Sequence, residues 1–433
     1  MIQDKFKYAI CGLGPASAGL LFCAYRNGLL RDLIESGLLL IDASGAPGSG
    51  ELRNYKVTAN TTCATFLECI EYDPEGIFES FKDDNPVIEQ LEENLNYPMD
   101  LNVIGEFLEA ITDLLIKHAI NLGARVMLGT RVKQIRYIDS TLIQLSVVDN
   151  NSQHERLYSC ERLIRNIGAG HPLDRTYDYL KSQFKDSNID RNTVTPGDEF
   201  LKFDSETINS ILECADSILV IGSSHSAMSV IERVARLGPK KTKKITLLYR
   251  SKIRIFYPSI KAAHLDKYDF DIKTDVCPLT KGVNRYGGLR FSAREVGREI
   301  LKTNHVNSKQ IKVELQSAKA ISQQTQNSVF RDADLVIPCL GYIPNSLPII
   351  DNEGKALTLK SEGTGHKTTS LGQLISSEGI VLKNLFSFGI GAGQRVSKDI
   401  GGESSFTKRV DGVWLYHFDI GEKILDAFYQ SDI

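Results

Sequence analysis

The chain lacks a Cys-X-X-Cys pair. Its eight cysteines, Cys11, Cys23, Cys63, Cys69, Cys160, Cys214, Cys277 and Cys339, fall at no metal-ligand spacing, and most lie in apolar stretches. That pattern excludes a zinc module or a disulfide scaffold and reads as buried, reduced thiols. Cys63 and Cys69 bracket five residues, which fits neither Cys-X-X-Cys nor Cys-X-X-X-X-Cys redox pairs. No apolar run approaches the length of about 20 residues that a membrane span needs. No basic leader with an apolar core precedes the first apolar strand, so a cytoplasmic protein is expected. Neither sign of charge dominates: 51 Lys and Arg stand against 54 Asp and Glu, a net charge of -3. Nothing in that balance calls for nucleic acid or an anionic membrane, and a small-molecule partner is expected.

What is present is the make-up of a globular chain, 42% hydrophobic and 24% charged, and at 433 residues it is long enough for two or three domains. Its organising stretch is Tyr8 to Tyr25, where an apolar run, a glycine-rich turn and a helical pattern follow without a gap. Gly12 permits the sharp turn, Gly14 permits close approach of backbone to a pyrophosphate, and Ser17 is small enough for the helix to pack on the strand. Pro15 and Ala16 open that helix, whose N-terminus favours an anion. A second apolar strand, Leu38 to Ile41, ends in Asp42, where a nucleotide-binding unit places a carboxylate to accept hydrogen bonds from a ribose hydroxyl.

A Gly/Ser/Pro stretch from Ala43 to Gly50 follows, then the loop from Glu51 to Thr62. Loops at the carboxyl ends of such strands carry ligands. Read by itself, Asn60 is a cap for a helix starting near Thr61. The segment Pro74 to Pro98 reads as surface loop and short helix. Apolar residues at Ile104, Phe107, Leu108, Ile111, Leu114, Leu115, Ala119 and Leu122 predict a helix that Gly123 stops. Short strands are expected at 125–128 and 131–135, then a hairpin reaching Gly168-Ala-Gly170, where the chain can leave the first domain.

A second strand-turn-helix begins at Ser217, with Gly222 at the turn, Ser224 in place of the middle glycine, Ser226 beside it and Ala227 as the small packing residue. The next strand, 245–249, is followed by Arg250, Lys252 and Arg254 rather than an acid, which suits a 2′-phosphate and hence NADP. Lys240, Lys241, Lys243 and Lys244 before that strand read as a solvated basic loop. Phe256 to Asn304 reads as a long connection. The strand 333–345 is expected to return the chain to the first domain, and 384–393 to form a last strand into a glycine turn before a helix from about 411 to 429.

This order of blocks resembles the two-dinucleotide-binding-domain flavoproteins, in which an FAD domain is interrupted by an NADPH domain. Gly-Leu-Gly-Pro-Ala-Ser17 is similar to their FAD fingerprint, and Ala333 to Asn345 to their Ala-Thr-Gly-Tyr-X-Pro-Asn strand, with Cys339-Leu340 replacing Ala-Thr. Asn384 to Gly393 is similar to their last FAD-contacting strand, without its usual Gly-Asp pair. The fold implied is α/β, an FAD-binding Rossmann-like domain (1–172 and 333–433) interrupted by a second Rossmann-like NADPH-binding domain (173–332). The resemblance places Ala43, Arg53, Val132, Gly391 and Val413 with Gly12, Gly14, Pro15, Ala16, Ser17 and Asp42 around FAD. It places Gly222, Ser224, Ser226, Arg250, Lys252, Gly341 and Tyr342 around NADPH.

Within that superfamily, the run Tyr55 to Thr61 is similar to the loop of flavin-containing monooxygenases in which an asparagine lies beside the flavin. This turns Asn60 from a cap into a catalytic candidate, with Lys56 as a second. N-hydroxylating monooxygenases share the block order, although the Phe-X-Gly-X-X-X-His fingerprint common among these enzymes before the second nucleotide unit is absent. The resemblance implies NADPH-dependent insertion of one oxygen atom from O2 into an amine, amino acid or sulfur compound through a flavin hydroperoxide. The alternatives are an NADPH-dependent flavin reductase and a flavin-binding regulatory protein.

Overall fold

The computed structural model describes residues 4–83, 85–185, 187–237, 244–306, 311–363, 365–392, 394 and 400–430. Two sheets organise them. In the first, the strand order is 349–350, 130–137, 143–149, 155–165, 4–11, 38–41 and 125–127, with 381–386 also paired to 155–165. Glu155–Arg165 joins two halves of this sheet. One edge pairs in parallel with Asp4–Cys11 along its length, while the other pairs antiparallel with Ile143–Asp149 and then, beyond Cys160, in parallel with Val381–Phe386. Period-two alternation sorts the side chains. Tyr8, Ile10, Leu38, Leu40 and Ile164 face the helices Pro15–Arg26, Leu101–Asn121 and Ile420–Gln430, whereas Ala9, Cys11, Leu39, Ile41 and Leu163 face a second core with Leu347 and Ile349.

The second sheet has the order 305–306, 311–317, 244–249, 217–221, 335–338, parallel except at its short first edge. This corrects one expectation. Leu335–Pro338 pairs in parallel with Ser217–Ile221 and belongs to the second sheet, so the return to the first domain falls after Pro338, not at Ala333. A four-residue buried apolar strand carries no mark of which sheet it joins. The two crossings lie side by side: Ile343–Pro344 on the way back pairs antiparallel with Ala169–Gly170 on the way out.

Other differences are local. Pro74 to Pro98 is better ordered than its composition suggests: helices Glu79–Asp83 and Pro86–Glu93 place Ile88 and Leu91 in the first core beside Phe78, with Asn85 capping the second helix through Val87 N–H. The connection 256–304 contains the helix Phe291–Thr303. The C-terminal helix is two, Val413–Phe418 and Ile420–Gln430. Of the basic loop, Lys240, Lys241 and Lys243 lie outside the described residues. No described helix is long and apolar enough to cross a membrane.

Two histidines held neutral in the fold should make it acid-sensitive. His417 is wholly buried against Phe22, and burial followed by the nearby Arg26 charge lowers its pKa to about 3. Burial and Arg290 lower that of His225 to about 4, and its Nε2 accepts the Arg290 N–H at 3.1 Å. Both stay neutral in the fold, while the unfolded chain takes up their protons below the ordinary value of 6.5. Their contribution is therefore present above that pH and lost as pH falls toward 4, by up to about 1.4 kcal/mol per pH unit for each. Urea unfolding from pH 7 to 4.5 should show a falling midpoint, and His417→Phe should make that fall shallower. Equal slopes would remove His417 from the account.

Candidate functional site

The first glycine turn is built as a cradle that no side chain can enter. Gly12 has φ +86°, donates to the Ile41 carbonyl at 2.8 Å, and a Cβ on it would overlap the carbonyl oxygen of Asn166. Gly14 takes the cap position of helix Pro15–Arg26 with extended backbone and no side-chain cap, Pro15 sits in the first turn, and no acid occupies that turn. Positive potential at this helix end is thus unclaimed by any side chain of the first turn. Ser17 is fully buried and accepts from Asn166 Nδ2 at 3.1 Å.

Asn166 is a residue the sequence reading passed over. Besides holding Ser17, its Oδ1 accepts the Phe388 N–H at 2.9 Å, tying the glycine turn to the end of the last strand. Gly389 then rests on Ala16, where a Cβ would come within 2.9 Å of the alanine Cβ. Gly391 lies against the Gly168 carbonyl, 2.7 Å from where a Cβ would be, and its own carbonyl accepts the His366 N–H. Gly48 and Gly50 were also missed: Gly48 N–H donates to Leu13 at 2.7 Å, and Gly50 lies beside Pro15. A proline-adjacent Gly-Ser-Gly was the available signal.

Asp42 closes the turn from the second strand. Its carboxylate accepts from Leu13 N–H at 2.5 Å, Ser44 N–H at 2.7 Å and Ser44 Oγ at 2.5 Å. Ala43 is exposed beside it. Thr130 N–H donates to the Asp42 carbonyl at 2.9 Å, so Val132, two residues on and half-buried at a register shift, lies along the same edge. Arg53 points elsewhere: it is ion-paired with Glu109 and, at 3.6 Å, with Glu106 on helix Leu101–Asn121. A role for Arg53 at a phosphate or ribityl chain requires those pairs to open. Val413 opens helix Val413–Phe418 behind Gly412 and packs against the first core.

The second turn repeats the cradle. Gly222 has φ +131°, and a Cβ on it would lie 2.5 Å from the Cys339 carbonyl oxygen. Ser224 is exposed, its carbonyl accepting the Met228 N–H in the first turn of His225–Leu237, and Ser226 is half-buried in that turn. Arg250 and Lys252 both project at the neighbouring strand end, exposed. Lys252 is engaged by Asp269 at 2.8 Å, whereas Arg250 makes no ion pair among the described residues.

A polar cluster bridges the two domains. The buried Tyr55 hydroxyl donates to Asp198 and receives the Tyr342 hydroxyl at 2.9 Å. Lys202 reaches Asp198 at 3.1 Å and Glu51 at 2.9 Å, and Lys56 N–H donates to Leu201 at 2.9 Å. Burial, then Tyr342 and Asp198, pushes the Tyr55 phenol far up, so it stays protonated. Burial opposes the charge on Lys202, but Glu51 and Asp198 outweigh it and raise its pKa. His171, with its pKa lowered mainly by burial, stacks edge-on against Tyr342 at 5.2 Å. Tyr342, expected at NADPH, is thus a member of this bridge; Gly341 precedes it, exposed, at φ +87°.

Lys56 and Asn60 are both exposed on the loop that this bridge anchors. The structure corrects the capping reading of Asn60: helix Cys63–Leu67 begins behind Thr62, and no hydrogen bond links the Asn60 side chain to that helix. Cys63 and Cys69 are buried and unpaired, and burial pushes both thiols up, which suppresses thiolate chemistry.

No protein-family model matches the chain. A curated protein, the CMP-5'-(3-aminopropyl)phosphonate hydroxylase of Streptomyces rubellomurinus, is 29% identical over 99% of this chain and 99% of its own length. Among solved structures, the FAD-bound cadaverine monooxygenase of Erwinia amylovora superposes with a TM-score of 0.59 at 12% identity, over 99% of this chain and 95% of the other. The ornithine hydroxylase of Pseudomonas aeruginosa gives 0.58 at 12% identity, over 98% and 99%. With a glycine cradle in each of two sheets and these whole-length likenesses, the chain has the fold of the two-dinucleotide-binding-domain flavoproteins.

Proposed function

We propose that the chain is an FAD- and NADPH-dependent monooxygenase that places one oxygen atom from O2 on the nitrogen of a small amine. The observation that carries this reading is the whole-length likeness to a hydroxylase whose named substrate bears an aminopropyl group. The paired cradles at Gly12 and Gly222 fit two dinucleotides, and the buried, unpaired Cys63 and Cys69 speak against a dithiol reductase.

When bound, FAD and NADPH would supply hydride acceptance, hydride donation and oxygen activation. The chain's own part is to hold and to orient. Gly12, Gly14, Pro15, Ala16 and Ser17 would receive the FAD pyrophosphate at the helix N-terminus, with Asp42 and Ala43 at its ribose, Val132 at adenine through backbone, and Gly391 and Val413 toward the flavin. Gly222, Ser224, Ser226 and Gly341 would line the NADPH path. Arg250, with no acid partner, would take the 2′-phosphate, while Lys252 would have to leave Asp269 to do so. The Asn60 amide, uncommitted to its helix, would orient the reacting groups by hydrogen bonding, with Lys56 beside it. The Tyr55 bridge holds this loop against the second domain.

The test is turnover with NADPH, 18O2 and a panel of primary amines, following labelled product against NADPH consumed and hydrogen peroxide released. Label on nitrogen is the expected outcome. NADPH consumption with only peroxide or reduced artificial acceptors, and no label in any amine, would favour the reductase. Failure of NADPH to bleach the flavin would favour the regulatory protein. Asn60→Ala should lower product per NADPH about tenfold, the scale of one hydrogen bond near 1.4 kcal/mol; unchanged coupling would end its catalytic assignment.

A further inference from the structure

Behind the domain crossing, on the sheet face away from helix Pro15–Arg26, lies a cavity of about 570 Å3. Its walls come from the returning segment 343–350, the stretch 356–361 and the turn carrying Gly365 and His366, closed by Arg165 at a strand end and Arg175 from helix Leu173–Gln183. None of the cofactor-binding, Asn60-loop or Tyr55-bridge residues lines it. Its volume is that of a site for a small organic molecule.

The charge in this cavity has one sign. Arg165 is 3% exposed, two residues beyond Leu163 on the same face of its strand, and its Nη2 donates to the Asn345 carbonyl at 3.0 Å. Its Nε is buried without a hydrogen-bond partner. Arg175 donates one bond, to the Pro344 carbonyl at 2.9 Å. Each guanidinium has five donors, so both retain N–H groups beyond these bonds. Among the described lining residues none is acidic. Burial, then Arg165, Arg409 and Arg175, lowers His366 to about 4, which leaves the imidazole neutral near pH 7 and able to accept or donate one bond. A buried guanidinium without a carboxylate is costly unless an anion completes it. Leu347, Leu357 and Leu359 add apolar wall, beside the neutral polar Ser346, Thr358 and Ser361.

We infer that this cavity binds a small organic phosphate or phosphonate, its dianionic head between Arg165 and Arg175 and its organic body on the leucines. Two guanidiniums match the two charges of such a head, and their planar forks suit its oxygens. The inference does not rest on the oxidoreductase reading.

Calorimetric titration of the purified chain with phenylphosphonate, in excess FAD and NADP so that those sites are taken out of the measurement, tests it. One site is expected. Arg175→Ala and Ser361→Asp should each weaken binding at least about tenfold, with Lys133→Ala on the same sheet as an unaffected control. Both test positions are exposed, so the variants should fold even where Arg165→Gln does not. No binding, or equal binding by both test variants and wild type, would overturn the inference. If an aminoalkylphosphonate is turned over and phenylphosphonate competes with it, the head belongs to the substrate. If phenylphosphonate binds without competing, the cavity serves a separate ligand of the same chemistry.

Discussion

Gly12→Ala should purify without flavin and unfold well below the wild type. Alanine at φ +86° carries a backbone penalty of about 1–2 kcal/mol, and its Cβ would meet the Asn166 carbonyl oxygen. That oxygen cannot retreat easily. Asn166 N–H donates to Cys11, and its side chain holds Ser17 and Phe388, so moving it disturbs three elements at once. Overpacking of this kind adds about 1–3 kcal/mol. Gly28→Ala is the control: it also has positive φ, at +70°, but a Cβ there meets nothing within 4 Å. It should lose only the backbone part and keep its flavin. Flavin absorbance per chain and the urea midpoint read both outcomes; stoichiometric flavin in Gly12→Ala would remove the first cradle from the cofactor site.

Asp198→Ala should slow reduction of bound flavin by NADPH at least about tenfold while the chain remains folded. The buried carboxylate accepts the Tyr55 hydroxyl and pairs with Lys202, so truncation leaves a buried phenol without its acceptor and Lys202 with Glu51 alone. Loss of a partly buried pair costs about 3–5 kcal/mol when the partner charge stays behind. Here Lys202 can turn toward Glu51, which is more exposed, so the lower end applies. The loss falls on the contact between the 51–60 loop and the second domain, where geometry between two bound cofactors would be set. Asp198→Asn, which still accepts from Tyr55 but carries no charge for Lys202, should lie between. Wild-type reduction rates in Asp198→Ala would make the bridge structural only.

Much of this architecture was legible in the chain because it rests on local chemistry. Gly12 and Gly222 announce themselves, since a turn of positive φ between a buried strand and a helix admits little else. The helix Leu101–Asn121 follows from its apolar period and from Gly123, and the hairpin before Arg165 from alternation. Legibility ended where a residue's role depends on partners distant in sequence. The resemblance placed Tyr342 at NADPH, and only the fold shows that its hydroxyl also meets Tyr55, 287 positions away. The resemblance placed Arg53 at FAD, and only the fold shows that it pairs with Glu106 and Glu109 on a helix. Asn166 drew no notice in the sequence, and it ties three segments together.

The sequence by itself determined the two strand-turn-helix units at Gly12 and Gly222, their order and the absence of a Cys-X-X-Cys pair, all properties of short segments whose backbone or spacing leaves few alternatives. Only the tertiary structure decided that Leu335–Pro338 completes the second sheet, that Asn60 is not a cap, and that Tyr55, Asp198, Lys202 and Tyr342 form one bridge. It alone set Arg165 and Arg175 around a cavity with no acid among its described lining residues. The reason is physical: strand partners and buried polar contacts are chosen by packing between segments far apart in the chain, and neither a hydrophobic period nor a turn motif carries that information.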